Sequence, residues 1–485
     1  MNSMKVFVGL LNWNRCDDLR RLIKSVLKDL SGQSNYNFEV AVIDNASTDK
    51  SIQMLDLEFP DLKKIINNTN LGGSGGFNTV LRYAATQGFD FAWLLDNDAE
   101  VLPGAFQGLM FSMESDQKIA LVGSKVLHRD DSSIISELGA KISAFSTFPI
   151  PQFSNIPNLD LKAQIIDVDY VAICSALVRV SLLNTFGALD ERFFLMWDDM
   201  EWGMRIRNHG YRVVATSLSE VVHPGFSERT LSPLFVYYAW RNHLYFIAVT
   251  YSGIRRIFYL CYISGLLHAA KINAQYVNKN FPFVKAYNLA FRDFCEAKFG
   301  KMDRSIEAFS CAGSGDLFKD KDIEALFGTN NVVLLSADRS VAVVKLTIDV
   351  LKGRFPNTRF IILVNYSRKY LFRWYNHNDL WIRKGIFRDF YLYKQMKINK
   401  VKSIFIFENV PIKILFSLTK NQLTVSNTGE IIKVSNFRLY NGFSLWANIS
   451  LRRFIGMVNG FIMILSKIFM NPNFFRNLAK SRKLI

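Results

Sequence analysis

The sequence predicts an α/β protein with a mostly parallel central sheet, and three observations carry that prediction. Short apolar runs alternate with helical periodicity through the first 120 residues, the pattern of successive βαβ units. The 485-residue length points to about three domains, one of them large enough for such a sheet. A composition of 49% hydrophobic and 21% charged residues can bury a sizeable core and excludes a disordered or collagenous chain.

The elements follow in order. The apolar run 6–11 reads as a first buried strand; it is too short for a signal-peptide core and has no small-residue cleavage site behind it, so the expected compartment is the cytoplasm. A helix over 19–30, a strand at 40–43, a helix from about Thr48, a strand at 63–66, a helix over 77–86 and a strand at 91–95 come next. Ligands on parallel sheets bind at the carboxyl ends of strands, which singles out residues 12–15, 44–47 and 96–98. Residues 141–162, rich in Pro, Ser, Phe and Asn, read as an irregular excursion. Beyond it lie a buried strand over 168–178, a helix from near Asp198 to His209 with Gly210 as its cap, and short strands at 213–214 and 221–222.

The region 234–270 is apolar and aromatic but is broken by Arg241, Arg255 and Arg256. It reads as amphipathic helices leaning on a membrane or on the domain. No stretch of roughly 18 residues is apolar and uncharged, which excludes a polytopic membrane protein. A second α/β pattern begins near Asn331, with strands at 332–335, 360–364 and 403–407 and a helix over 341–352. From residue 431 onward there is no Asp or Glu, and Arg452, Arg453, Lys467, Arg476, Lys480, Arg482 and Lys483 surround the apolar run 454–470. Basic amphipathic segments of this kind bind anionic bilayers; the competing reading is a core helix with a solvated basic end. The expected organisation is a catalytic domain over 1–250, an amphipathic helical connector over 251–314, a second α/β domain over 315–430 and a membrane-associating tail over 431–485.

The charge balance of 59 Lys and Arg against 42 Asp and Glu gives +17, which calls for an anionic partner: nucleic acid, nucleotide phosphate or membrane surface. No recognition motif accompanies the charge, so nucleic acid is not the expected partner. The five cysteines are odd in number, scattered and without a CxxC pair, which fits a reducing compartment and neither a disulfide framework nor a zinc site.

Four segments carry chemistry. Asp96-Asn97-Asp98 follows a buried strand, and two carboxylates one residue apart suit a hard divalent cation that bridges diphosphate oxygens. Such a pair alone is commonly no more than a helix cap. Asn70-Leu71-Gly72-Gly73-Ser74-Gly75-Gly76-Phe77-Asn78 reads as a glycine-rich loop opening a helix. There, missing β-carbons let backbone N–H groups approach a phosphate, with Arg82 one turn further on. It is neither a Walker A nor a GxGxxG loop, and the glycines also serve tight packing equally well. Trp197-Asp198-Asp199-Met200-Glu201-Trp202 sets three acids between two tryptophans at a helix start; such acids ordinarily cap the helix, but a carboxylate beside an aromatic ring also suits a general base facing a sugar hydroxyl. His223 ends an apolar run, and its imidazole suits Mn²⁺ alongside carboxylates, although a lone histidine is more often structural.

In this order these segments resemble the inverting family 2 glycosyltransferases of GT-A fold. The residues concerned are Val42-Ile43-Asp44-Asn45-Ala46-Ser47-Thr48-Asp49, the glycine-rich segment, Leu94-Leu95-Asp96-Asn97-Asp98, the stretch 193–202, Gly210-Tyr211-Arg212-Val213, His223 and Arg241-Asn242. The resemblance covers roughly the first 250 residues, and within the family it is closest to bacterial galactofuranosyl- and rhamnosyltransferases of cell-surface polysaccharide synthesis. It implies a UDP-galactofuranose donor, with dTDP-rhamnose as the alternative, and a lipid-linked glycan acceptor. It also implies Mn²⁺ or Mg²⁺ on Asp98, His223 and Asp96. Asp44, Asn45, Asn70, Gly72, Gly73, Gly75, Arg82 and Asp96 would bind the donor, Asp199 would deprotonate the acceptor, and Trp197, Asp198 and Glu201 would line the acceptor site. Asn97 stands where some galactofuranosyl enzymes carry a third aspartate. The enzyme would sit peripherally on the inner face of the bacterial cell membrane. Other readings are a non-catalytic scaffold, a nucleic-acid binder, or a second transferase in the C-terminal region.

Overall fold

The computed structural model describes residues 3–224, 232–278 and 281–302, and beyond them 332–336, 348, 352, 359–365, 380–383, 403–407, 421–425, 431–433, 458 and 462. The first half-chain runs β1 (Met4–Asn12), α1 (Cys16–Leu30), β2 (Tyr36–Asp44), α2 (Ser51–Glu58), β3 (Lys63–Ile66), α3 (Gly72–Thr86), β4 (Phe91–Asp96), β5 (Glu100–Val101), α4 (Ala105–Glu114) and β6 (Ile119–His128). It continues through β7 (Ile135–Glu137), β8 (Ala140–Ile142), β9 (Pro149–Pro151), β10 (Ile165–Asp167), β11 (Ser175–Arg179), α5 (Leu183–Phe186), α6 (Asp198–Asn208) and β12 (Arg212–His223). Helices α7 (Pro233–Thr250), α8 (Gly253–Asn278) and α9 (Phe281–Cys295) follow.

The main sheet has the order β10-β12-β6-β11-β4-β1-β2-β3, with β5 on β12 and β7 on β6. β3, β2, β1 and β4 are mutually parallel, as the βαβ pattern demands; β11 enters antiparallel between β4 and β6, and β12 is parallel to β6. Helices cover both faces. Leu19, Leu22, Ile23 and Val26 of α1 are spaced for one helical face and pack with Val6, Val8, Leu10, Trp93 and Leu95 on one side, while Phe77, Val80, Leu81 and Ala84 of α3 pack with Phe7, Leu11 and Leu94 on the other.

Register sets the site. Asn12 lies opposite Asp44 across β1–β2, and Leu11 opposite Asp96 across β1–β4, so the carboxyl ends of three parallel strands come together. The two expected strands at 213–214 and 221–222 are one strand, β12. Thr216 pairs with Ser124 and Glu220 with the next residue, Lys125, so residues 217–219 loop out as a bulge before pairing resumes. The Lys125–Glu220 ion pair, at 2.7 Å, pins the restart. Beyond the bulge β12 carries His223 past β5, which pairs through Val221↔Val101 and Val222↔Glu100.

Other expectations shift. The irregular excursion contains the β8–β9 hairpin. The strand expected over 168–178 is regular only from Ser175, because residues 168–170 turn away to bond Ala140 and Val213. Helices α7, α8 and α9 pack on one another and on the 193–204 stretch through Phe193, Trp197, Leu244, Phe246, Leu260 and Phe294.

The second α/β pattern is a six-stranded sheet, β15-β14-β13-β16-β17-β18, formed by β13 (Val332–Ser336), β14 (Arg359–Asn365), β15 (Leu380–Arg383), β16 (Ser403–Phe407), β17 (Asn421–Val425) and β18 (Ile431–Lys433). All pairs are parallel except β17–β18. The helix expected over 341–352 lies outside the described residues apart from 348 and 352, as does the basic tail apart from 431–433, 458 and 462. Among the described residues no helix is long and apolar enough to cross a membrane.

Candidate active site

The floor of the site is an amide–carboxylate network at the strand ends. Asn12 is fully buried; its Nδ2 donates to Asp44 Oδ1 (3.0 Å) and Ser47 Oγ (3.1 Å), and its Oδ1 accepts from Asn97 Nδ2 (3.1 Å). Asp44 takes a second bond from Ser47 N at 2.8 Å on its other oxygen. Asn97 is thereby turned back into the protein and Asp96 and Asp98 stand on either side of it, which gives this asparagine a physical role.

Asp96, Asp98 and His223 each bring one ligand atom to within 4.8 Å of the others. His223 Nε2 lies 2.9 Å from Asp98 Oδ1. That approach lacks hydrogen-bond direction, and the nitrogen is buried with no hydrogen bond. Two hard oxygens and one imidazole nitrogen at this spacing fit Mn²⁺ or Mg²⁺. Arg129 closes the edge, donating from Nη2 to the Asp98 carbonyl and reaching Asp18 at 3.4 Å.

The glycine-rich segment is not a loop. Helix α3 begins at Gly72, so the glycines form its first turn, and Arg82 lies in its third turn, about 15 Å along the axis. Arg82 pairs with Glu191 at 3.2 Å on the surface. Gly72 has φ +73°, and a β-carbon there would meet the Phe194 carbonyl oxygen at 2.1 Å; one on Gly75 would meet Leu71 at 2.6 Å. These two glycines serve close packing. At Gly73 the nearest atom to an added β-carbon is Asp198 Oδ2 at 3.9 Å, so its side is open. Asn45 holds the turn in place: it accepts from Leu71 N (3.0 Å) and Asn67 Nδ2 (3.1 Å) and donates to Asn70 Oδ1 (3.2 Å) and the Gly72 carbonyl (3.0 Å).

The acidic turn faces this one. Asp198 and Asp199 open α6 with Trp197 at its N-cap, and Ser74 Oγ donates to Asp198 Oδ2 at 2.8 Å. The Asp199 carboxyl is pushed well above the ordinary aspartate range, first by burial and then by the negative Asp198 and Glu137, while the N–H of Met200 opposes the shift from 2.8 Å. Asp199 keeps a partly open surface although it is ringed by protein. Burial likewise raises Asp198 against the pull of the Ser74 hydroxyl.

Two residues expected at the acceptor site are turned inward. Glu201 is buried in a fork with Arg205 (2.8 Å), and Trp197 is 5% exposed, its ring stacked on His243 at 4.0 Å. Burial pushes the His243 imidazole down to about 3, so it stays neutral beneath the tryptophan.

Sequence reasoning missed Glu137, the last residue of β7. Its carboxyl is pushed up to about 6 by burial, with His223 pulling the other way, and it acts on Asp199 and on the buried Tyr170 phenol. Nothing in the local sequence marks it, because it arrives through the pairing of β7 on β6. Asn12 stands at the first of the three strand ends that the sequence singles out, although no role is read for it there.

A mostly parallel sheet that presents a carboxylate–imidazole cluster at its strand ends offers a site for a divalent cation and a phosphate-bearing ligand. Residues 8–175 match the model of Glycosyl transferase family 2, and this segment belongs to that family. Among curated proteins, galactofuranosyltransferase GlfT2 of Mycolicibacterium smegmatis is 24% identical over 212 residues, 40% of this chain and 32% of that protein. The O-antigen biosynthesis protein RfbC of Myxococcus xanthus is 26% identical over 220 residues, 43% of this chain and 16% of that one. Galactofuranosyltransferase GlfT1 of Mycobacterium tuberculosis is 23% identical over 239 residues, 45% of this chain and 70% of that one. The chain thus spans about a third of the length of GlfT2. Among solved structures, GalNAc-T7 with UDP, GalNAc and Mn²⁺ aligns with a TM-score of 0.43 at 15% identity, covering 61% of this chain and 56% of that one.

Proposed function

We propose that the protein is an inverting, metal-dependent glycosyltransferase that moves galactofuranose from UDP-galactofuranose to a lipid-linked glycan in cell-surface polysaccharide synthesis. The observation that carries this is the convergence of Asp96, Asp98 and His223 at the strand ends, with Asp199 opening α6 where Ser74 of the glycine-rich turn bonds Asp198. The donor sugar rests on the resemblance to galactofuranosyltransferases named above.

In this reading Asp44 and the open side of Gly73 face the nucleotide sugar. Asp96, Asp98 and His223 would hold a divalent cation, which supplies charge compensation for the diphosphate. Asp199 takes the proton of the acceptor hydroxyl, whose oxygen forms the new bond to the anomeric carbon. The bond from that carbon to the diphosphate breaks on the opposite face, so the configuration inverts. A carboxyl raised towards neutrality is a stronger base once ionised, which suits a weakly acidic sugar hydroxyl. Asn12, Asn97 and Asn45 orient these groups.

Peripheral membrane contact belongs to the same proposal. On α8, Ile254 is 83% and Phe258 50% exposed; Phe258 stacks on Tyr262, and Tyr262 meets the exposed Phe145. Arg255 is exposed beside them, and Val458 and Ile462 in the tail are exposed as well. An apolar, aromatic patch edged with positive charge fits an anionic bilayer surface.

The test is donor turnover by the full chain with Mn²⁺, with and without chelator, over UDP-galactofuranose, UDP-galactopyranose, UDP-glucose and dTDP-rhamnose and a lipid-linked glycan acceptor. Chelator-sensitive UDP release from UDP-galactofuranose supports the reading, and dTDP release from dTDP-rhamnose replaces the donor. Silence throughout, with no nucleotide binding by calorimetry, refutes it in favour of a scaffold.

A further inference from the structure

Three consecutive residues of α7 grip successive parts of the turn that precedes Asp199. Arg241, 1% exposed, donates from Nη2 to the carbonyls of Arg192 (3.4 Å) and Phe193 (3.2 Å). Its Nη1 bonds the Gly300 carbonyl (2.8 Å) and the Tyr237 hydroxyl (3.1 Å), and Tyr237 in turn donates to Asp293 at 2.9 Å. Asn242, fully buried, spreads its Nδ2 over the carbonyls of Phe193 (2.8 Å), Leu195 (2.6 Å) and Met196 (3.1 Å), while its Oδ1 accepts from Arg241 Nε at 2.9 Å. His243 stacks under Trp197.

What they grip is strained. Phe194, Met196 and Trp197 all have positive φ, at 63°, 69° and 71°. Phe194 closes a three-residue turn through the bond of Leu195 N to the Phe193 carbonyl at 2.7 Å. Side chains of this size avoid such backbone, so the turn persists only where its surroundings over-determine it. From the other side Gly72 meets the Phe194 carbonyl and Ser74 bonds Asp198.

We propose that Arg241 and Asn242 are positioning residues: by bonding the carbonyls of Arg192, Phe193, Leu195 and Met196 they hold the strained turn that aims Asp199 at the acceptor hydroxyl, and they tie that aim to the α7–α9 layer. This rests on the reading of Asp199 as the base. Arg241 Nη2 and Asn242 Nδ2 between them reach four carbonyls of this one turn, more than a helix contact requires; the Leu195 and Met196 carbonyls have Asn242 as their donor.

The experiment compares Asn242→Ala, Arg241→Lys and Asp199→Asn in the full chain. It reads kcat and KM for the acceptor, donor affinity by calorimetry, the pH profile of kcat, and amide hydrogen exchange over 193–200. A misplacement of about 1 Å costs on the order of a hundredfold in rate. For Asn242→Ala the expected result is therefore a hundredfold fall in kcat, donor affinity unchanged within about twofold, a displaced acid limb, and faster exchange confined to the turn. Arg241→Lys keeps the charge and reaches fewer carbonyls, so it should fall between that variant and wild type, which keeps the test available if Asn242→Ala does not fold. Loss of kcat and donor affinity in step with the folded fraction overturns the proposal, as does unchanged kcat in both α7 variants while Asp199→Asn is inactive. An active Asp199→Asn instead removes the base reading, and the positioning role with it.

Discussion

Replacing Gly72 by alanine separates packing from ligand approach in the glycine-rich turn. The left-handed backbone at φ +73° costs a non-glycine residue roughly 1–2 kcal/mol. The new β-carbon would also sit 2.1 Å from the Phe194 carbonyl oxygen. That residue's neighbours are fastened to Asn242, so the turn cannot recede, and overpacking of this kind adds about 1–3 kcal/mol. The sum, about 2–5 kcal/mol, lowers the melting temperature by roughly 4–20 °C for a domain of this size. Gly32→Ala is the control: it has φ +83° with nothing within 4 Å, so it carries the backbone cost alone. Gly73→Ala meets nothing closer than 3.9 Å and sits in a helical turn, where alanine gains up to about 1 kcal/mol, so its melting temperature should hold or rise. Thermal denaturation followed by circular dichroism ranks the three, and calorimetric titration with UDP then reads Gly73→Ala, whose donor affinity should fall if that open side faces the nucleotide sugar. Gly72→Ala melting together with Gly32→Ala would refute the steric reasoning.

Further outcomes follow from the same geometry. Asp199→Asn should lower kcat by about 10²–10⁴ while leaving donor binding intact; joint loss would move Asp199 out of the base role. His223→Ala should abolish high-affinity Mn²⁺ binding measured by calorimetry on the apoprotein, and unchanged binding would dissolve the proposed cluster. Glu137 has its proton affinity raised from 4.5 to about 6, so folding opposes its ionisation: the stability it contributes is whole below pH 4.5 and is lost as pH rises through 6, at most about 2 kcal/mol. Glu137→Gln should therefore gain on wild type across that window in denaturant melts, and a constant difference contradicts the burial argument. Phe258→Asp with Ile254→Asp should weaken sedimentation with phosphatidylglycerol vesicles, and equal sedimentation would take α8 out of the membrane contact.

How much of this was legible beforehand depends on whether a residue is placed by its own strand or by someone else's. Asp44, Asp96 and Asp98 close apolar runs, and a parallel sheet puts such ends on one edge by register alone, so their convergence followed from period and order. His223 needed more. Ser217 and Ser219 interrupt the apolar run and make one strand look like two, yet the bulge they belong to lies just ahead of the segment where β12 passes β5 and delivers the imidazole to Asp98. Glu137 comes by a neighbour's pairing and leaves no local mark.

The glycine-rich segment shows the limit most sharply. Its composition reports that something approaches closely, and it is silent on whether that is a phosphate or the Phe194 backbone. Composition is also silent on strain: a run of Phe, Leu, Met and Trp gives no sign of three left-handed residues, since these are the types that avoid that region. Such a backbone can exist only where carbonyl acceptors are matched by donors from elsewhere, and here the donors lie nearly 50 residues downstream, with Asn242 bonding Phe193 across a separation of 49. Arg241-Asn242 is therefore a sequence signal that can be read only together with the distant carbonyls it bonds. A strained element and its distant support are one feature, and substitutions on either side should be read together.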